Sequence, residues 1–352
     1  MISVGVIGAT GYAGSELMRL LVNHPQVEKI VAASQSYNGE AFSAIYPNFY
    51  KIYDTPLVGA DIPALVKEVD LLFLSLPHNV SSQYLSHAQL EECVVIDLGA
   101  DFRLQNVEVY EKWYNTTHPN PALVKEAVYG LCELYREELK GANLIANPGC
   151  YTTTSILTAW PLLMEGLIEE ESIVIDAKSG VSGAGRGEKL TSLYSECNES
   201  IKAYGVTTHR HTPEIEEYLS LAASKGRRRD GITLSFTPHL IPMNRGILVS
   251  LYAKLKRGVT FERVESAYQK WYQDEKFIRL LPPGILPETR WVKGTNFCDI
   301  NYVVDGRTNT LIAFGALDNL VKGAAGQAVQ NMNIRFNFPE TSGLEALGAF
   351  PI

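Results

Sequence analysis

The amino-acid sequence predicts an α/β plus α+β protein: a first domain with a parallel sheet wound by helices, and a second α+β domain with a mixed or antiparallel sheet. Three observations predict it. The chain has 352 residues, and single cores rarely grow past about 250–300. Short apolar runs in the first half alternate with helix-compatible stretches and read as strands buried on both faces. From Thr153 the pattern changes to longer β runs with fewer helices, which suits one sheet covered on one side.

Composition narrows the function classes. Hydrophobic residues make up 46% and charged residues 20%, as in a soluble globular protein, and the net charge is −8. That charge argues against nucleic acid or an anionic membrane as the main partner. Five cysteines at irregular spacing form neither a disulfide framework nor a CxxC metal pattern, so a cytoplasmic location fits best. No signal peptide and no apolar run long enough to span a bilayer is apparent.

The first element is the apolar run Ile2 to Ile7. Gly8-Ala9-Thr10-Gly11-Tyr12-Ala13-Gly14 follows, then an amphipathic helix from Ser15 to Val22. GxxGxxG between a strand and a helix is a variant of the dinucleotide fingerprint: glycines allow a tight turn and let a pyrophosphate approach the helix N-terminus. This predicts a Rossmann-type domain, with Gly8, Thr10, Gly11, Tyr12, Ala13 and Gly14 on the cofactor. The second strand, Val27 to Ala33, ends in Ser34-Gln35-Ser36. An acid near this point would meet the ribose 2′-OH of NAD. None is present, and hydroxyls at Ser34 and Ser36 suit a 2′-phosphate, so NADP(H) is favoured. Further strands are Leu71 to Pro77, Val94 to Gly99 and Leu144 to Ala146. His78 reads as a loop residue. Arg103, after the strand at 94–99, is a candidate for a substrate carboxylate or phosphate, with a structural salt bridge to Asp97 or Asp101 as the alternative. Residues 105–123 read as irregular covering structure.

Asn147-Pro148-Gly149-Cys150 closes this domain and opens the next. The cysteine stands where a helix begins, and a helix N-terminus favours thiolate; a buried, inert thiol is the alternative. After a helix to about Glu165 and a strand from Ser172 to Ala177 comes Lys178-Ser179-Gly180-Val181-Ser182-Gly183-Ala184-Gly185-Arg186. Its glycines, serines and flanking cations suggest an anion nest for a substrate phosphate. Ser179 and Arg186 are assigned to substrate, and Ser182 and Gly183 to cofactor. His209-Arg210-His211 precedes a helix opened by Thr212 as N-cap and Pro213. Either histidine can supply a general acid or base; zinc is the rival, without a third ligand at useful spacing. Strands over 232–240 and 246–255 are joined by a connection carrying Arg245, a second candidate substrate cation. A helix spans Phe261 to Trp271, and a hairpin turns at Asp305-Gly306. An uncovered sheet face here suits subunit contact. The final helix, from Asp318 to Met332, is expected to return to the first domain. The domains are therefore 1–149 plus about 318–352, and 150–317.

These motifs, in this order, resemble the N-acetyl-gamma-glutamyl-phosphate reductases, which are related to aspartate-semialdehyde dehydrogenases. The matching segments are Gly8 to Gly14, Asn147 to Thr153, Ser179 to Arg186, His209 to Ile215 and Lys322 to Ala328. Thr152 stands where related sequences often have proline. The resemblance implies NADPH-dependent reduction of N-acetyl-L-glutamyl 5-phosphate to the 5-semialdehyde and phosphate, in arginine biosynthesis. It implies a homodimer or homotetramer, Cys150 as nucleophile, and His209 and His211 as acid–base candidates. The residues point to the same chemistry. A Cys150 thiolate attacks an acyl phosphate, phosphate leaves, and the thioester accepts hydride. Cofactor and cysteine must then meet at one crevice. The alternatives are an aminoadipyl or aspartyl phosphate as substrate, or a non-catalytic NADP-binding regulator.

Overall fold

A computed structural model describes residues 1–225 and 231–349. The chain divides into two units, Met1–Gly149 with Ala324–Ala346, and Cys150–Gly323 with Leu347–Ile352. The segment that returns to the first unit thus begins at Ala324, not near Asp318, and ends at Ala346. Residues 350–352 of the expected segment lie outside the described residues.

The sheet of the first unit is built from β1 (Ile2–Ile7), β2 (Val27–Ala33), β3 (Leu71–Leu74), β4 (Val94–Asp97), β5 (Val128–Tyr129) and β6 (Leu144–Ala146). All are parallel, in the order β2-β1-β3-β4-β6-β5. Every residue of β3, β4 and β6 is buried, which is why these runs show no alternation. β1 pairs with β2 on one side and β3 on the other. The strand order reverses there, and the rule for open α/β sheets puts ligands outside the carboxyl ends at such a point.

Three features of this unit differ from expectation. The first helix spans Tyr12–Leu21, starting three residues early because Gly11 already serves as its N-cap. Residues 105–123 are not irregular: a helix runs over Val107–Tyr114, capped by Asn106, whose side chain accepts from the N–H groups of Glu108 and Val109. Tyr110 stacks on Tyr114 with centroids 4.5 Å apart, so the aromatic residues that suggested a cover are the helix's own packing. Third, the returning helix spans Gly326–Arg335 and starts eight residues later than expected, after a π-helical turn over Val321–Ala325. That helix is tied in by buried amides. Asn331 Nδ2 donates to Gly130 O at 2.9 Å and to Asn147 Oδ1 at 3.1 Å, and Gln327 Nε2 donates to Gly130 O at 2.7 Å.

The second unit holds β7 (Val174–Ser179), β8 (Lys202–Ala203), β9 (Ser235–Leu240), β10 (Ile247–Lys254), β11 (Ile278–Leu280), β12 (Cys298–Asp305) and β13 (Thr310–Leu317). They form one mixed sheet, β11-β12-β13-β10-β7-β9-β8. The hairpin predicted around Asp305-Gly306 pairs β12 with β13, Asp305 opposite Thr310. One face carries the Cys150–Met164 helix, which packs on β10 and β13. Its approach is close: a Cβ at Gly315 of β13 would stand 2.2 Å from Thr158 Oγ1. This helix contains Pro161, which has no N–H to give to the Leu157 carbonyl four residues back. Tyr272 OH donates to Leu157 O at 2.7 Å, and Tyr268 OH donates to Thr158 O at 2.7 Å. Both tyrosines come from the Phe261–Tyr272 helix. On the opposite face, Val174, Tyr252 and Val303 are exposed by 40%, 37% and 46%.

Candidate active site

In the first unit the three fingerprint glycines have different surroundings. Gly8 has φ +79°, and a Cβ on it would lie 2.2 Å from Ser75 O, at the end of β3. A Cβ on Gly14 would lie 2.1 Å from Gly8 O. Only the backbone can occupy these two places, so they set the tight turn and the helix packing. Gly11 differs: its nearest neighbour would be Gly8 O at 3.5 Å, which leaves room for a ligand to approach. The Tyr12–Leu21 helix has no acid in its first turn to compete with a pyrophosphate. These features fit a dinucleotide. Thr10 Oγ1 and Ser34 Oγ are 3.0 Å apart, and Tyr46 OH donates to Thr10 O at 2.9 Å. Ser34 is buried in that contact, whereas Ser36 is exposed. Tyr12 is exposed and Ala13 half-buried.

The loops after β3 and β4 are held by Asp101, which sequence reasoning treated only as a partner for Arg103. Its buried carboxylate accepts from the Asn79 N–H, the Ser82 N–H at 3.0 Å, Ser82 Oγ at 2.7 Å and Tyr110 OH at 3.0 Å. Arg103 is 7% exposed, and its Nη2 donates to Leu98 O at 2.7 Å. Beside it, burial pushes Asp97 up to about 7, with the Asp101 charge adding to the effect; Ser81 Oγ donates to Asp97 Oδ1 at 2.7 Å. His78 lies in the loop, its ring 5.4 Å from Tyr114.

In the second unit Cys150 is the first residue of a 15-residue helix and is half-buried. A Cβ at Gly323 would come within 2.8 Å of Cys150 Cβ, so only glycine lets the two segments lie this close. Tyr151, next to the cysteine, packs edge-on against His209, His211 and Phe236 with centroids 5.6, 6.0 and 5.5 Å away. The two histidine rings are 4.9 Å apart. Tyr204 OH donates to Tyr151 OH at 3.1 Å, which donates to His239 O at 3.2 Å. Burial pushes Tyr204 up to about 12 and Tyr151 higher still, so both hydroxyls keep their protons. Burial, assisted by the Arg210 charge, pushes His209 down to about 4. The Thr212–Ala223 helix starts one residue earlier than expected, with His211 at the N-cap and Thr212 inside.

Five N–H groups of the Gly/Ser loop, which the sequence suggests as an anion nest, already have backbone acceptors. The N–H groups of Gly180, Val181 and Ser182 donate to Gly246 O, Met243 O and Asn244 O at 3.0, 2.9 and 3.0 Å. Those of Gly183 and Gly185 donate within the loop, to Gly180 O at 3.4 Å and Ser182 O at 3.1 Å. Backbone donors occupied in this way cannot converge on a phosphate. Lys178 is also engaged, its Nζ 3.0 Å from Asp176 Oδ2. Ser179 is buried and donates to Gly180 O at 3.0 Å, while Gly183 and Arg186 are exposed. Arg245 Nε lies 3.0 Å from Asp318 Oδ2, and Asp318 is fully buried. The next residue, Asn319, accepts from the Gly246 N–H at 2.7 Å and donates to Ser182 Oγ at 3.0 Å. Asp318 and Asn319 were missed as site residues. Their signal is a polar pair directly after an apolar strand, a place that demands buried partners. Among the described residues no group of three or more His, Cys, Asp or Glu is placed to hold a metal ion.

Two families match the chain along its length. One, described as "Semialdehyde dehydrogenase, NAD binding domain", covers residues 3–142, and the other, "Semialdehyde dehydrogenase, dimerisation domain", covers residues 150–319. The class is therefore that of the two-domain semialdehyde dehydrogenases, oxidoreductases with a dinucleotide domain and a cysteine-bearing α+β domain. Curated relatives named N-acetyl-gamma-glutamyl-phosphate reductase include one from Lachnoclostridium phytofermentans, 52% identical over 100% of both chains. Another, from Campylobacter jejuni subsp. jejuni serotype O:6, is 55% identical over 98% of both. The chain belongs to the N-acetyl-gamma-glutamyl-phosphate reductase family. Among solved structures, aspartate semialdehyde dehydrogenase II from Vibrio cholerae shares the fold, with a TM-score of 0.71 at 16% identity over 96% of this chain and 98% of that one. So does the aspartate semialdehyde dehydrogenase with NADP from Candida albicans, with a TM-score of 0.65 at 15% identity over 95% and 98%.

Proposed function

We propose that this chain reduces N-acetyl-L-glutamyl 5-phosphate to N-acetyl-L-glutamate 5-semialdehyde and phosphate through a thioester on Cys150. The observation that carries the reading is the placement of Cys150 at the start of a long helix, with the neighbouring Tyr151 packed against both His209 and His211. The helix N-terminus favours thiolate, the nucleophilic form. The thiolate adds to the acyl carbon, and the C–O bond to phosphate breaks with the electron pair leaving on phosphate. Gly8, Gly11 and Gly14 would hold NADPH, with Ser36 as the candidate for its 2′-phosphate, and the bound nicotinamide would supply the hydride that takes the thioester to the hemithioacetal level. His209, held neutral, offers its Nε2–H to the developing oxyanion, and His211 carries the proton transfer. Collapse of the hemithioacetal releases aldehyde and regenerates the thiolate. Arg103, Ser179, Arg186 and Arg245 are the candidates for the substrate's carboxylate and phosphate, and Ser182 and Gly183 lie on the loop beside them.

The chain assembles as a homodimer, or as a tetramer built from it, through the open face of the seven-stranded sheet, where Val174 and Tyr252 stand opposite each other on adjacent strands. It works in the cytoplasm; no helix among the described residues is long and apolar enough to cross a membrane.

The test is NADP+ reduction by N-acetyl-glutamate semialdehyde with and without inorganic phosphate. Absorbance that rises only with phosphate supports the reading, and aspartate and aminoadipate semialdehydes measure selectivity. Cys150→Ser is expected to bind NADPH and to be inactive. Full turnover in that variant would refute the thioester.

A further inference from the structure

We propose that Asn319 is a positioning residue that makes the Ser182 hydroxyl an outward hydrogen-bond donor to an acceptor oxygen of a bound ligand. The inference rests on the reading above only in taking the Ser179–Arg186 loop to face that ligand.

The direction of the chain of hydrogen bonds is fixed at its backbone end. The Gly246 N–H, 2.7 Å from the Asn319 side chain, can only donate, so the atom facing it is Oδ1. The other end of the amide is then Nδ2, which lies 3.0 Å from Ser182 Oγ and can only donate in turn. Ser182 Oγ must accept, and its own proton points elsewhere. Among the described residues no other partner of Ser182 Oγ exists to take that proton. Asn319 is 2% exposed, so no water competes freely for its amide. The Ser182 backbone is pinned as well, its N–H donating to Asn244 O at 3.0 Å. Because the loop's N–H groups at 180–183 and 185 are occupied, this hydroxyl replaces the nest as the neutral donor of the loop. The acceptor is a phosphoryl oxygen of the substrate or an oxygen of the cofactor, and the experiment separates the two.

Asn319→Asp keeps an acceptor for the Gly246 N–H but cannot donate. The Ser182 proton then turns inward to the carboxylate and is lost to the ligand. Ser182→Ala, Asn319→Asp and the double variant are compared by fluorescence titration with NADPH and by the KM for inorganic phosphate in the reverse reaction. Each single change is expected to weaken one of these two constants by about tenfold, the loss of one hydrogen bond. The double variant is expected to be no worse than either single one, because both changes remove the same donor. The constant that moves identifies the ligand. Unchanged constants, additive losses, or a lower Tm with both constants intact would overturn the proposal. Asn319→Ala, which removes the donor without adding a charge, completes the same cycle if the aspartate variant does not fold. The NADPH titration needs no turnover, so a chain without reductase activity would sink the proposed function and still leave this cycle to be read.

Discussion

The backbone N–H of His211 donates to Nδ1 of His209 at 3.1 Å, so the neutral His209 ring carries its proton on Nε2. Burial holds this ring neutral, pushing it down to about 4. In the unfolded chain an imidazole titrates near 6.5. The stability of the neutral, buried ring is thus fully present above about pH 6.5 and is lost as pH falls toward 4. The urea midpoint of the wild type should fall between pH 7 and pH 5, and that of His209→Gln should fall less. An equal fall in both would show that His209 is not the buried neutral group described.

Gly323 and Cys150 are a second close pair. A Cβ at Gly323 would stand 2.8 Å from Cys150 Cβ, nearer than carbon atoms tolerate. Gly323→Ala should push Cys150 off its position and, if Cys150 is the proposed nucleophile, lower kcat by about 10- to 100-fold, since small misplacements of a reacting group are costly. Overpacking adds a stability loss of about 1–3 kcal/mol. Steady-state kinetics beside a thermal melt decide it; wild-type kcat in a folded variant would contradict the close approach.

Tyr272 and Pro161 make a compensating pair. Removing the hydroxyl in Tyr272→Phe leaves the Leu157 carbonyl buried without its donor and should cost about 1–3 kcal/mol. Pro161→Ala restores a backbone N–H four residues on, so Tyr272→Phe should cost less in that background. A double-mutant cycle from urea unfolding measures the difference.

Ser36 tests cofactor choice. It is exposed at the end of β2, whereas Ser34 is buried against Thr10. A carboxylate at 36 would repel a 2′-phosphate and suit a ribose 2′-OH. Ser36→Asp should raise the KM for NADPH by about 10- to 100-fold and that for NADH little. Equal effects on both cofactors would place the 2′-phosphate elsewhere.

Much of this was legible in the sequence because it is local. β1 and β2 have the predicted bounds, since each is a single apolar run closed by a turn signal. The glycine fingerprint needs only its spacing between strand and helix. The 107–114 helix was missed because its aromatic residues hide the usual apolar stripe, and its signal, the Asn106 cap, is one residue wide. The edge strand β5 is two residues long and carries no periodicity.

By itself the sequence determined the parallel first sheet, a second α+β unit whose sheet it left as mixed or antiparallel, the place of Cys150 at a helix start and the pair of histidines before a second helix. These follow from the period of apolar residues and from caps and turns, which act over a few residues. Only the tertiary structure decided which donors are still available. The Gly/Ser loop has the composition of an anion nest, yet three of its N–H groups donate to the 243–246 connection and two more within the loop, and Arg245 is paired with a buried aspartate 73 residues away. Hydrogen-bond capacity is spent through contacts between segments distant in the chain. A motif therefore states which groups are present, and the fold determines which of them a ligand can reach.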